Sequence, residues 1–494
     1  MAIAATPWTR RGSRFWIGAA PILGSYALLL LRVSEENRPA ALAAHHELQA
    51  PQALRLVQDL AGGYVKMGQV LANRADLLPE PYVRAFGTLH DCVPPRPWRV
   101  LARRLPIDAP ALTAALESVD PTPLGAASTG QAHTALLRNG SRVVLKLQYP
   151  EARSRFGADF ANVARLTRLS RLAVLTPVVI EVRRRFRLEF DYAREAADMA
   201  EIGDRLRASR CRAARRVVIP RPLISLTTPK VLVMEKLPGP TLLSSTRAKI
   251  IEALGEPGYL YLRADAQGVA PPPGARPPSR ARMLLHAPGM WRLRRRTQRR
   301  IALLSSVLGS QILSHGVFHA DPHPGNVLLL PDGRLGLIDF GQVVRLRKER
   351  QLALARLIVA LADAPAPATP GATSAAGAAA SLVGNDAVAE AARELGFETS
   401  RNSNEGLTAL SSFFFDRDPP PVGGRGGRRR SPSQTLLALN QYDALRTIPS
   451  DIILAARVSL LLRGTAQLAA SSPLSIARLW KGEAKRAIRS GRGY

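Results

Sequence analysis

The 494-residue chain has only two cysteines, Cys92 and Cys211. A disulfide framework is therefore excluded, and reduced intracellular thiols fit best. Lysine is scarce as well, with eight residues against 61 arginines. Acidic groups are outnumbered 38 to 69, which leaves a net charge of +31. Such an excess suits nucleic acid, an anionic membrane surface or a phosphate-bearing ligand. A coding bias toward Arg and Ala produces the same numbers with no partner. No internal repeat is visible. What is present is ordinary for a globular protein: 46% hydrophobic and 22% charged residues. A large core is affordable, so disorder of the whole is excluded. At ~150 residues per domain the length suggests about three folding units.

No acidic residue precedes Glu35, whereas Arg10, Arg11, Arg14 and Arg32 do. That pattern resembles an organelle transit peptide. Residues 15–31 form an uncharged run of 17, the lower limit for a spanning helix, interrupted by Pro21 and Gly24. A spanning helix, a membrane-surface helix and a plain core helix are all open readings. The apolar stretch 452–470 is interrupted by Arg457 and Arg463 and is not expected to span. Three stretches, 264–298, 363–380 and 417–434, read as solvated inserts. Their Pro, Gly, Ser and Arg content buries too little apolar surface to offset ordering entropy.

The remainder alternates legibly. Residues 48–92 read as helix, 143–147 as strand, 232–234 as strand and 300–315 as helix. Residues 178–204 read as one helix, with Val182, Phe186, Phe190, Ala193, Ala197 and Ala200 at spacings of three and four. A mixed front and a helical back predict an α+β lobe joined to a helical lobe.

Residues 315–341, HGVFHADPHPGNVLLLPDGRLGLIDFG, carry the strongest chemistry. Residues 327–330 and 335–338 are two apolar strands about the turn Pro331-Asp332-Gly333. Asn326 and Asp339 then fall at the open end of the hairpin, one per strand. An amide oxygen and a carboxylate suit Mg²⁺, which takes few protein ligands and completes its shell with phosphates and water. Asp321 precedes Asn326 at D-x-x-x-x-N spacing, followed by D-F-G, the order of a kinase catalytic loop and its metal-binding Asp. A zinc reading of His315, His319 and His323 needs a common helical face, which Pro322 and Pro324 break. Upstream, a small-residue turn, Gly125-Ala126-Ala127-Ser128-Thr129-Gly130-Gln131, precedes a strand carrying Lys146. Period two turns Lys146 away from Leu145 and Leu147, as suits a phosphate-pairing ammonium. Asp191 and Glu195, i,i+4 on the following helix, repel mildly. A solvated acidic face is one explanation; Glu195 as salt-bridge partner for Lys146 is the better one.

With those residues in place, the pattern resembles the UbiB family, the aarF-domain-containing atypical kinases. The matching segments are Lys66-Met67-Gly68-Gln69, Gly125 to Ser128, Val144-Leu145-Lys146, Glu189-Phe190-Asp191, Glu195, His319 to Asn326 and Asp339-Phe340-Gly341. The match covers roughly 40–350 outside the 264–298 stretch, and is fainter through 413–416 and 461–480. The resemblance implies an α+β, bilobal protein-kinase-like fold. It has a targeting or membrane-associated start (1–35), a helical extension (36–116), an N-lobe (117–237) and a largely helical C-lobe (238–490). It further implies that Lys66 and Gln69 obstruct the place of a protein substrate, and that Glu189 and Asp191 engage that extension. By the same resemblance Lys146 pairs with Glu195, Asp321 is the catalytic Asp and Asn326 and Asp339 hold the metal. Gly125, Ala126, Ala127 and Ser128 would line the nucleotide, with Met234 and Glu235 as the hinge that meets adenine. Gly125 stands where the family usually has alanine, which leaves ATP or ADP open; Asp198 is given no role.

The expected function is an atypical kinase-like enzyme using ATP (or ADP) and Mg²⁺, an ATPase or a phosphotransferase to a small or lipid acceptor. It would support isoprenoid quinone or other lipid metabolism in a mitochondrion, or alternatively a plastid. The expected partners are nucleotide, an anionic membrane surface or lipid, and quinone-biosynthesis proteins, with no specific nucleic acid. A protein serine/threonine kinase and a non-catalytic nucleotide-gated membrane scaffold remain the alternatives.

Overall fold

The computed structural model describes residues 7–71, 78–87, 89, 95–127, 129–169, 176–209, 211–267, 271–365, 384–417, 432–468 and 474–491. The chain divides into two compact units, Met1–Ala196 with Pro222–Lys236, and Ala197–Arg221 with Leu237–Tyr494. Helix, with a smaller share of sheet, gives the mixed α+β composition of a kinase-like fold.

The first unit begins with helices Pro7–Arg32, Arg38–Leu60, Gly63–Leu71 and Glu80–Phe86. The first of them is the one helix among the described residues long and apolar enough to cross a membrane, over Arg11–Arg32. Phe15 and Ala19 are buried, Phe15 stacks on Tyr64 at 5.0 Å, and farther along Tyr26 Oη meets His46 Nδ1 at 2.6 Å and Tyr82 Oη at 2.9 Å. Ile17, Leu28 and Leu31 are exposed. An antiparallel sheet follows, in the order Leu116–Ala126, Gly130–Leu137, Arg142–Gln148, Val231–Glu235. Its alternating Val143, Leu145 and Leu147 enter a core with Phe156, Phe160, Phe186 and Phe190. Met67 and Leu71 join the same cluster, so the K-x-G-Q helix is part of that core.

The helix expected over 178–204 is two helices, Thr176–Leu188 and Tyr192–Ala208. Glu189 and Phe190 form a turn, and Asp191 caps the second helix by accepting from the Arg194 N–H at 3.1 Å. Asp191 therefore lies outside the helix. The like-charge penalty expected with Glu195 is replaced by two carboxylates at a helix N-terminus, where the macrodipole favours them.

The second unit is mostly helical, with Leu242–Gln267, Arg280–Ser310, Lys348–Asp363, Asp386–Leu395, Asn404–Phe415, Ser450–Leu468 and Ile476–Gly491. Two small sheets carry the loops of interest. One orders Val217–Val218, Leu335–Leu337, Val327–Leu329; the other pairs Val317–His319 with Val343–Arg345. The stretch 264–298, expected to be a solvated insert, is exposed over most of 271–292 but is ordered as helix from Arg280. Ser279 caps a 31-residue helix there, accepting from the Arg282 N–H at 3.3 Å. Leu293 joins a satellite core with Ile250, Leu254 and Tyr259. Composition hid this helix, because its arginines are spread around the axis and only a few positions, Leu293, Thr297, Ile301 and Leu304 among them, turn inward. The 363–380 and 417–434 stretches fall almost wholly outside the described residues.

Candidate active site

In the first unit, Lys146 lies on an inner strand of the sheet, between Gly130–Leu137 and Val231–Glu235. Period two sends it away from the buried Leu145 and Leu147. Its Nζ donates to both carboxylate oxygens of Glu195, at 2.8 and 3.0 Å. Glu195 is buried in the first turn of Tyr192–Ala208, and Nζ also stands 5.2 Å above the Tyr192 ring. An ammonium that keeps a fifth of its side chain in solvent while its carboxylate is buried is anchored yet still reachable.

Gly125 and Ala126 continue the first strand, opposite Ala132 and Gln131, and the Ala127 N–H closes the turn on the Gly130 carbonyl at 2.8 Å. Ser128 lies outside the described residues. Met234 and Glu235 end the last strand; Met234 is buried and Glu235 exposed.

Lys66 and Gln69 share the helix Gly63–Leu71. Gln69 Nε2 donates to the Leu89 carbonyl at 3.5 Å. Between them Gly68 packs closely on Leu89, whose Cδ1 would stand 2.5 Å from an added Cβ and would have to shift. The N-terminus of this helix is fixed by Asp159, whose Oδ2 accepts from the Gly63 N–H at 3.0 Å. The same carboxylate receives Arg11 at 2.8 and 2.9 Å. Burial raises the Asp159 pKa, and Arg11 pulls against it. Glu189 is half-buried in the turn before the capped helix.

In the second unit, His319 organises the loop. It is fully buried, and burial lowers its pKa, so the ring is neutral. Its Nδ1 accepts from the Asp321 N–H at 3.0 Å, which places the proton on Nε2, 3.2 Å from the Ile338 carbonyl. Phe340 packs edge-on against the ring at 4.9 Å. One imidazole thus ties the Asp321 loop to the D-F-G strand end.

Asn326 and Asp339 leave the same end of the hairpin, because the Ile338 N–H donates to the Asn326 carbonyl at 2.9 Å. Asn326 Nδ2 donates to the Asp321 carbonyl at 3.2 Å, which turns the amide to offer Oδ1 to a ligand. Asp339 has a φ of +64°, one of three non-glycine residues in the left-handed region among those described. Strain of this kind gathers where surrounding structure holds a functional group in place. An amide oxygen and a carboxylate are the donor set Mg²⁺ prefers.

The zinc alternative fails on geometry. His315 ends one helical turn, His319 faces inward to Ile338 and Asp321, and His323 Nδ1 accepts from the Gly325 N–H. Among the described residues no three His, Cys, Asp or Glu side chains are grouped to hold a metal.

Two features escaped the sequence. Arg457, read as an interruption of an apolar stretch, reaches Asp321 Oδ1 at 3.1 Å and Gln342 Oε1 at 2.7 Å. Asp198, given no role, is buried and paired with Arg345 at 2.6 Å, and Arg345 also takes Glu201 at 2.6 Å. A charged residue recurring in an apolar helix was the available signal for Arg457.

An uncharacterised protein of Synechocystis, slr0889, is 28% identical over 325 residues, covering 64% of this chain and 71% of that protein. Two proteins of Arabidopsis thaliana are also similar. Activity of BC1 complex kinase 3, chloroplastic, is 27% identical over 353 residues, covering 69% of this chain and 43% of that one. Activity of BC1 complex kinase 8, chloroplastic, is 31% identical over 297 residues, covering 57% and 32%. The chain thus spans less than half the length of either Arabidopsis relative. A solved Mycobacterium tuberculosis structure, titled a complex of Rv3197 with erythromycin, aligns at TM-score 0.47 and 21% identity, covering 92% of this chain and 98% of that one. The model of the ABC1 atypical kinase-like domain matches residues 88–367, more than half of the chain, and the chain belongs to that family.

Proposed function

We propose that the chain is a Mg²⁺- and ATP-dependent atypical kinase, an ATPase or a phosphotransferase to a small or lipid acceptor. The observation that carries this reading is the anchored Lys146–Glu195 pair. A lysine held by a buried carboxylate, its amine still reachable, is the group that binds nucleotide phosphates. Asn326 and Asp339 would hold the metal, which when bound neutralises developing phosphate charge. Asp321 would orient or deprotonate the attacking hydroxyl, with Arg457 fixing its carboxylate. Lys66 and Gln69 are proposed to restrict protein substrates, which favours a small acceptor over the protein-kinase alternative. Glu189 and Asp191 are assigned to support that extension, and Gly125 to Ala127, Met234 and Glu235 to the nucleotide. The relatives named chloroplastic support a plastid over a mitochondrion. A role in quinone or other lipid metabolism and a membrane partner belong to the same proposal.

The test is thermal shift with Mg-ATP and Mg-ADP. A nucleotide at 100 times its dissociation constant stabilises by about 2.7 kcal/mol. Wild type is expected to shift, and Asp339→Asn to lose the Mg²⁺-dependent part. Folded wild-type protein that shifts with neither nucleotide would end this reading and favour the scaffold.

Arg457→Ala separates positioning from binding. Loosening a carboxylate at the reacting centre costs about tenfold to a hundredfold in turnover. The nucleotide-induced thermal shift should be unchanged, because Arg457 meets Asp321 and Gln342 rather than the proposed metal ligands. Equal loss of both would make Arg457 merely structural.

A further inference from the structure

The 31-residue helix Arg280–Ser310 has an outer face that nothing in the second unit covers. Its inner side is fixed by Leu293, Thr297, Ile301 and Leu304, all buried. At 100° per residue the opposite side carries Leu284, Leu285, Trp291, Arg292, Arg295 and Arg299. Leu284 and Leu285 are each 76% exposed, and Trp291 is 55% exposed. With Met283, 51% exposed, four large apolar side chains of one helix stand in solvent, which is unusual for a surface designed only for water.

Charge sharpens the choice of partner. Residues 266–320 contain nine arginines and no acidic residue. The Arg295 guanidinium lies 4.6 Å from the Trp291 ring centroid, so cation and aromatic face occupy the same patch. Arg300 is partly buried beside Arg296, and burial lowers its pKa. Concentrated like charge of this kind costs the free protein stability, which an anionic surface would relieve.

We propose that this face docks on an anionic lipid bilayer. Leu284, Leu285 and the Trp291 indole enter the headgroup and acyl boundary, and Arg292, Arg295 and Arg299 meet lipid phosphates. An amphipathic helix lying in the interface combines those two contributions. Nucleic acid would use the arginines and could stack on Trp291, but it gives Leu284 and Leu285 nothing to bury against. The inference deepens the membrane partner of the proposed function by giving it a surface, and it does not rest on the enzymatic reading, since docking needs no nucleotide.

The experiment is co-sedimentation of the full chain with phosphatidylcholine vesicles, with and without phosphatidylglycerol, across a salt series. Wild type should bind only the anionic vesicles and weaken as salt rises. Replacing Arg292, Arg295 and Arg299 by Gln should weaken binding about a hundredfold, at roughly a factor of five per arginine. Replacing Leu284, Leu285 and Trp291 by Ser should weaken it at least as much. Both variants should melt as wild type does, since the altered side chains are largely solvent-facing. Equal binding to neutral vesicles overturns the proposal. So does an apolar variant that binds like wild type while the arginine variant fails, which would indicate a general polyanion site. Loss only when Ile17, Leu28 and Leu31 are changed to Gln would place the membrane contact on the first helix and overturn it also. A chain that binds vesicles through Leu284 and Trp291 yet shows no nucleotide shift would retain this inference and lose the enzymatic one.

Discussion

Glu195→Ala is expected to destabilise the first unit by about 2–3 kcal/mol and to lower Mg-ATP turnover about a hundredfold. The carboxylate it removes is buried and receives Lys146 at 2.8 and 3.0 Å. The ammonium would stay beside Tyr192 with its buried counter-charge gone. Its residual solvent contact moderates the cost below that of a fully buried pair. Glu195→Gln keeps the volume and one acceptor, so its stability loss should be nearer 1 kcal/mol. Turnover should fall by a similar factor in both variants, because a neutral amide no longer holds the ammonium in one place. Urea denaturation read beside ATP turnover checks the pair. Turnover within threefold of wild type in Glu195→Gln would mean that the ion pair serves stability alone.

The largest purely structural effect is expected at Trp480. Its side chain is completely buried, and Nε1 donates to Ser305 O at 2.8 Å and Ser305 Oγ at 3.1 Å. Gly309 lies directly beneath the ring; a Cβ there would stand 2.6 Å from Trp480 Cδ1. Trp480→Ala should cost about 3–5 kcal/mol through lost burial and the cavity left behind. Gly309→Ala should cost about 1–3 kcal/mol, since an indole held by two hydrogen bonds cannot step aside. In the Trp480→Ala background the sign of the second change should reverse. The obstructing ring is gone, and Ala is favoured over Gly inside a helix by about 1 kcal/mol. A denaturation midpoint for the double variant above that of Trp480→Ala establishes the contact; simple additivity would refute it.

Local chemistry was legible in the sequence where spacing and geometry coincide. Period two placed Lys146 opposite Leu145 and Leu147, and Pro331-Asp332-Gly333 marked the hairpin that sets Asn326 and Asp339 at one end. These depend on neighbours a few residues apart. The break at Glu189–Asp191 was not legible, because apolar spacing continued through Phe190 while a capping interaction ended one helix and began the next. Of the helix over 280–310 only the part from 300 was read as helix, because over 280–298 composition was weighed instead of arrangement around the axis. Arg457 was invisible as a partner of Asp321, since 136 positions separate them (457 − 321) and only tertiary structure brings them together.

Asp159 acts as a mechanical joint. A single carboxylate on the helix Ala152–Leu169 grips Arg11 of the first helix and the N–H of Gly63, which begins the K-x-G-Q helix. Tension applied along Pro7–Arg32 would therefore be borne by the residue that also seats Lys66 and Gln69. The join has no slack, because an added Cβ at Gly63 would already lie 2.9 Å from Asp159 Cβ. The first helix and the K-x-G-Q helix are thus coupled twice, through that carboxylate and through the stack of Phe15 on Tyr64, so a load on one is passed to the other.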